Sequence, residues 1–342
     1  MLLHSEIEYQ TLETFEMQTV EGLEDVVVQE LSEAATKAPN LQQFIWDNPS
    51  RRASRIVLPW PNLTRLTLNT GIDVDQCLST MAQLSKITHL TFQNITMSTT
   101  VLNNLQVTLP ELTSLVICSE FPIGSSLFDE ITLPKLKELV LNIRSWPHHS
   151  VTSFLRRSRC PLESLNLYFP PVAELELIEC LEIVQNTLKE FTVQGSDNGV
   201  APLPVTDTLL DRMTYKSAGS VLCPHIVVIA LYECVSCSPG RFADMVRSRL
   251  APTSPPTSGA STTETRQDLA ILRVIEMYDV EAEHLGLKPL RKLGLILKLY
   301  TTGTQQEMPM EPEEVERLRQ LREEGLILRV YSSITGHFGE AD

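Results

Sequence analysis

A six-residue phrase recurs along the chain, apolar at its first, fourth and sixth positions. It is plain in Pro61-Asn62-Leu63-Thr64-Arg65-Leu66-Thr67-Leu68, in Pro110-Glu111-Leu112-Thr113-Ser114-Leu115-Val116-Ile117 and in Pro134-Lys135-Leu136-Lys137-Glu138-Leu139-Val140-Leu141. Further units open at Leu12, Leu41, Ile87, Leu162, Leu188, Ile226 and Leu272. From Leu12 to Leu188 the steps are 29, 22, 24, 25, 24, 26 and 26 residues. One match means little in a chain with 42% apolar residues; the regular step carries the information. A proline two residues before Leu41, Leu63, Leu112, Leu136 and Ile226 adds to it.

Within the phrase, the fourth and sixth positions share one face of a strand, because strand side chains alternate. Proline just ahead of the strand starts it without removing a ladder donor. Between strands the apolar spacing becomes helical: residues 23–35, then Cys77, Met81 and Leu84, then Val151, Phe154 and Leu155. Leu175, Ile178, Leu181 and Ile183 mark a fourth helix, and Leu209, Leu210 and Met213 a fifth. A strand plus a helix in about 25 residues returns the chain beside its own start, so the strands run parallel.

Two later steps are longer, and the second holds a Pro/Ser/Thr run that cannot bury a core. Residues 252–266 are therefore expected to be a disordered loop, and residues 333–342 a flexible tail. Near the C-terminus, residues 290–300 and 318–331 each pair a helix ending near Gly with an alternating strand. The total is about twelve strands in one domain spanning residues 1–342.

The unit resembles a leucine-rich repeat, Leu-x-x-Leu-x-Leu followed by Asn or Cys. Only Cys234 fills that last position as the pattern has it; elsewhere stand Pro49, Gly71, Ile95, Glu120, Arg144 and Pro170. The resemblance implies an α/β leucine-rich-repeat solenoid, with a curved parallel sheet on the concave side and helices on the convex side. A narrower likeness rests on Leu222-Cys223-Pro224-His225-Ile226-Val227-Val228-Ile229-Ala230-Leu231-Tyr232-Glu233-Cys234 and on the Pro239-Gly240-Arg241-Phe242 stretch that follows. It is similar to the leucine-rich part of fungal F-box proteins. That family implies substrate recognition for a cullin-type ubiquitin ligase, with an F-box gripping the Skp adaptor. Residues 1–40 read instead as strand, acidic helix and strand. The Skp adaptor is thus a doubtful partner, and the carry-over is to the recognition half: a truncated member, or a chain that binds partners without recruiting a ligase.

Charge narrows the choice of partner. Lys plus Arg number 28 against 43 Asp plus Glu, a net −15, which disfavours the basic footprint that nucleic acid requires. No apolar stretch reaches the length of a membrane span, and no signal peptide is visible. Seven scattered Cys fit reduced thiols in the cytoplasm or nucleus. A monomer is expected.

Cys223, His225, Cys234 and Cys237 approach zinc-ligand spacing, but alternation along a strand scatters them, so neither a metal nor another cofactor is expected. No phosphate loop, nucleophile elbow or His-Glu-x-x-His appears. The function expected is non-catalytic protein binding; the alternative is a hydrolase or transferase with an unrecognised site. Positions three and five, and the residue after the sixth, face away from the core. That last position holds Tyr168, Tyr232, Tyr278, Tyr300 and Tyr331, beside the position-five residues Glu276, Lys298 and Arg329. An aromatic row with charged neighbours has the composition of an interface centre, and it is the expected partner surface.

Overall fold

The computed structural model describes residues 11–18, 25–47, 58–96, 105–121, 126–195, 204–216, 220–232, 234–249, 274–278 and 296–300. Nine strands, β1 (Thr14–Gln18), β2 (Gln43–Asp47), β3 (Arg65–Asp73), β4 (His89–Thr96), β6 (Ser114–Ser119), β8 (Glu138–Ile143), β9 (Ser164–Tyr168), β10 (Glu190–Gln194) and β11 (Val228–Tyr232), follow one another in chain order. With β12 (Val274–Tyr278) and β13 (Ile296–Tyr300) they make one open sheet of 11 strands, every neighbouring pair parallel. Two short strands, β5 (Val107–Thr108) and β7 (Ile131–Thr132), pair separately. The twelfth expected strand, the 252–266 loop and the 333–342 tail lie outside the described residues.

The parallel pairing expected between the units of Leu66, Leu90, Leu115, Leu139 and Leu165 is present, and these five leucines are successive register partners. One contact fixes the register from unit to unit. The N–H groups of residues 42 and 43 both donate to the Glu13 carbonyl, those of 64 and 65 to Gln42, and those of 88 and 89 to Thr64. The same two-to-one arrangement follows at Thr88, Thr113, Lys137, Glu163 and Lys189, making eight junctions in succession. Just ahead of each junction sits the first apolar position: Leu41, Leu63, Ile87, Leu112, Leu136, Leu162, Leu188 and Ile226, none more than 1% exposed.

The five prolines do something more specific than precede a strand. The N–H of Leu41, Leu63, Leu112, Leu136 and Ile226 donates to the carbonyl three residues back, at 3.1–3.4 Å. Each proline is therefore the second residue of a tight turn, where its fixed φ is already correct. The turn drops the next apolar side chain into the core.

Helices α1 (Asp25–Thr36), α2 (Val74–Met81), α4 (His148–Ser158), α5 (Glu174–Val184) and α6 (Asp207–Met213) stand where helical spacing predicts them. The structure adds α3 (Ser126–Glu130) and α7 (Arg241–Arg249). Right-handed crossovers that always advance in one direction put the helices on one face of the sheet. The fourth and sixth positions point to that face: Leu139, Leu141, Leu165, Leu167, Phe191 and Val193 are all buried. At the β1 edge the core is aromatic, with Phe15 stacked on Phe44 at 5.3 Å.

Polar ties hold each helix to the next. Glu174, at the start of α5, accepts from the N–H groups of Thr206 and Leu209 at 2.9 and 3.0 Å, capping α6 from outside. Asp207 accepts from the backbone and hydroxyl of Ser238, ahead of α7. Glu179 on α5 takes Arg156 at 2.7 Å and His148 at 2.8 Å, both from α4. Arg157, at the end of α4, donates to the carbonyls of Phe128 within α3 and Ile131 just after it. Arg249 repeats this at the end of α7. It is 1% exposed and donates to Met213, Cys223 and Leu222 carbonyls at 2.7, 3.0 and 2.6 Å. Desolvation pulls its pKa down to about 10, still cationic at neutral pH.

Three outcomes follow from this packing. Leu139→Ala empties a fully buried site and should cost about 2–5 kcal/mol in denaturant unfolding. Arg249→Ala strands three carbonyls and should cost about 3 kcal/mol or more, against under about 1 kcal/mol for Arg247→Ala, whose side chain is exposed. Hydrogen exchange over residues 207–232 should accelerate in the first variant and not in the second. Glu179 is held below the ordinary carboxyl range, first by Arg156 and then by His148. A depressed carboxyl stabilises the fold above its unfolded pKa and loses that effect as pH falls through the folded value. Melting curves of wild type and Glu179→Gln should therefore differ near neutrality and converge in acid.

Candidate protein interface

The sheet face opposite the helices is built from three columns of side chains. The first runs Gln43, Arg65, His89, Ser114, Glu138, Ser164, Glu190 and Val228. The middle one runs Ile45, Thr67, Thr91, Val116, Val140, Asn166, Thr192 and Ala230. Most of these side chains are partly exposed, whereas the alternating residues beneath the helices are buried. The strict alternation is what a one-sided sheet requires.

The third column is the one that carries the tyrosines. Gln18, Asp47, Asn69 and Gln93 are successive register partners. Cys118 lies one residue past the Phe92–Ile117 pair, and from it the register continues through Asn142, Tyr168, Gln194, Tyr232, Tyr278 and Tyr300. The rings of Tyr168 and Tyr232 are half-buried on this face. Tyr278 and Tyr300 occupy the equivalent backbone positions of β12 and β13. Glu276 and Lys298 are register partners of each other, in line with Ala230. Tyr331 and Arg329 lie outside the described residues.

Several residues on this face were not singled out by sequence. Glu138 and Glu190 stand in the first column two strands apart, each next to a serine. Ser114 Oγ donates to Glu138 at 2.8 Å, and Ser164 Oγ to Glu190 at 3.4 Å. Asn166 is buried in the middle column and donates to Ser164 Oγ at 3.3 Å. In the third column Asn69 Nδ2 donates to Asp47 at 2.7 Å. The signal was available: counting position three through the units gives Glu138 and Glu190 as directly as counting one past the sixth gives the tyrosines.

Just beyond the third column the chain turns away. Phe169 takes φ 54°, and its N–H donates to the Gln194 carbonyl at 2.8 Å; the Gly195 N–H donates to Tyr232 at 2.6 Å. Asn94 has φ 61° at the equivalent place in its unit. The Phe169 and Gly195 amides tie the ends of neighbouring strands together just past the third column. Cys234 donates to the Val193 carbonyl at 3.4 Å, one unit back. Ser119 does the equivalent from one residue earlier in its own unit, reaching the Ile95 carbonyl at 2.6 Å.

The cysteines are not poised for nucleophilic work. Burial pushes the thiols of Cys118 and Cys160 up to about 11, and those of Cys180 and Cys223 up to about 12. Cys223, in the turn before β11, donates to the Leu181 carbonyl of α5 at 3.8 Å, whereas Cys234 reaches back to β10. Among the described residues, no three of His, Cys, Asp and Glu converge on a point where a metal would sit. Among the same residues, no helix is long and apolar enough to cross a membrane.

No protein-family model matches the chain, and no curated protein matches it.

Proposed function

We propose that the chain is a non-catalytic protein-interaction module, a leucine-rich-repeat solenoid whose sheet lines a concave binding side and whose helices form the convex side. The reading includes the narrower likeness to the recognition half of a fungal F-box ubiquitin-ligase receptor, acting in the cytoplasm or nucleus. One observation carries it: a single face runs unbroken across successive strands, and its third column changes from amides to tyrosines toward the C-terminal end. Half-buried tyrosines such as Tyr168 and Tyr232 on a rigid sheet can contribute contact area at low entropic cost, the property that makes tyrosine frequent at interface centres. The thiols on and near the face are held neutral, which weighs against a covalent catalyst built on them.

Affinity purification of the tagged full-length chain, read by mass spectrometry, tests the reading. Three chains are compared: wild type, the Tyr168→Ala/Tyr232→Ala/Tyr278→Ala variant, and Leu175→Ala, whose side chain is 72% exposed on α5, away from the sheet face. Specific protein partners should be recovered by wild type and by Leu175→Ala. The tyrosine variant should lose them by about tenfold or more while keeping its melting temperature. Equal recovery by all three chains rejects the binding face.

A further inference from the structure

The first strand of the sheet leaves its core unfinished. From β2 to β11 the fourth- and sixth-position residues of each main-sheet strand are no more than 5% exposed. In β1 the equivalent residues, Phe15 and Met17, are only half-buried, and so is Leu12 ahead of them. An aromatic stack runs from Trp46 through Phe44 to Phe15, with ring centroids 6.1 and 5.3 Å apart, and it ends at Phe15. The terminal repeat of a solenoid ordinarily closes with a polar outer face. This one presents a ring, a thioether and a leucine instead.

The backbone at that end is open as well. The Glu13 carbonyl receives the N–H of Gln43, so the parallel ladder turns the backbone groups of Phe15 and Met17 toward β2. The N–H and C=O groups of Thr14, Glu16 and Gln18 then point away from the sheet. Among the described residues, β1 pairs with β2 alone. Such an edge is a template for another strand, and proteins commonly guard it with proline, lysine or a bulge. From Thr14 to Gln18 the register is regular and holds none of these.

The side chains set the chemistry of the strand that fits. Alternation places apolar residues of an added strand beside Phe15 and Met17, and the residue between them beside Glu16. Glu13 and Glu16 are exposed. Glu16 takes a 3.5 Å contact from the uncharged Gln18 amide, and among the described residues no cation pairs with either carboxylate. Residues 1–36 hold nine Asp and Glu and no Lys or Arg. The complement is therefore a strand of apolar residues with Lys or Arg between them. A second copy of β1 matches poorly, because antiparallel pairing about Glu16 sets the two Glu16 carboxylates against each other.

We propose that β1 is a docking edge for an extended segment of a partner protein that alternates apolar residues with Lys or Arg and joins the sheet as an outer strand. Main-chain hydrogen bonds hold the segment, Phe15 and Met17 receive its apolar side chains, and Glu16 pairs with its cation. The site lies on the sheet edge and not on the tyrosine face, so the two proposals stand or fall separately.

The probe is a dye-labelled peptide, Lys-Val-Lys-Val-Lys-Val-Lys. Its control, Val-Val-Val-Lys-Lys-Lys-Lys, has the same composition without the alternation. Fluorescence anisotropy with the full-length chain should show saturable binding of the alternating peptide, at least about tenfold tighter than the control. Amides of residues 14–18 should exchange rapidly in the free chain and slowly with the peptide bound. Thr14→Pro removes an outward N–H at the first residue of an edge strand, where proline breaks no ladder bond. It should weaken binding by about tenfold or more at an unchanged melting temperature. Glu16→Lys should move the preference to Glu-Val-Glu-Val-Glu-Val-Glu. Equal binding of the two lysine peptides would reduce the edge to a charge effect and overturn the proposal. So would absence of binding, or binding indifferent to Thr14→Pro and Glu16→Lys. Slow exchange over residues 14–18 in the free chain would also overturn it: protection that falls on dilution assigns the edge to a second copy, and protection that does not assigns it to the chain itself.

Discussion

The carbonyl that accepts two N–H groups at each strand start is the constraint from which the rest of the sheet follows. A parallel sheet can slip in register, and a slip of one residue turns every side chain to the other face. Here the slip is blocked at the same point of eight successive units, from Glu13 to Lys189. The first apolar residue sits immediately before each pair of donating N–H groups, from Leu41 to Ile226, and is buried in all eight cases. Burial and hydrogen bonding therefore fix the same register. Moving a strand would break a shared carbonyl and lift a leucine or isoleucine out of the core in one step. A single unit has no partner for its apolar face, so stability belongs to the stack of units rather than to any one of them.

The helix layer obeys a looser rule and is held by different chemistry. Its crossovers differ in make-up: α3 has five residues and α4 eleven, and two crossovers carry the short paired strands β5 and β7. Irregular crossovers leave helix ends without neighbours of their own, and buried ends need partners. The chain supplies them from neighbouring units. Glu174 receives the opening amides of α6, while Arg157 and Arg249 cover carbonyls left by the preceding unit. A buried arginine is costly in isolation, but five donors in a rigid fork suit three carbonyls converging from two segments. It follows that the polar residues least typical of a core, Arg249 above all, mark the places where the repeat departs from regularity.

The strands were legible in sequence because two independent periods coincided, the 2-residue alternation within a unit and the step of about 25 residues between units. The parallel order and the facing of every column could be written down from these alone. Proline was legible as a boundary but not as a turn, since its spacing from Leu63 or Leu136 is the same in either case; only the hydrogen bond three residues back distinguishes them. Helix α3 was missed because five residues are too few to show a helical period, and α7 because apolar Phe242, Met245 and Val246 are interleaved with charges. On the sheet face opposite the helices, the tyrosines were found as a residue type standing out from a column. Glu138 and Glu190 were lost among 43 acidic residues, where only their shared register sets them apart.

That difference bears on how a sheet of this kind distinguishes partners. Its edges offer backbone groups with little sequence information, while its face offers columns whose spacing is set by the hydrogen-bond ladder and cannot adapt. A rigid comb of this sort selects ligands by period before it selects them by chemistry. Where the comb carries the same side chain on every strand, no regular peptide follows it, because about 4.8 Å matches neither one nor two residues of an extended chain. At β11, β12 and β13 the third column is of this kind, repeating tyrosine on consecutive strands.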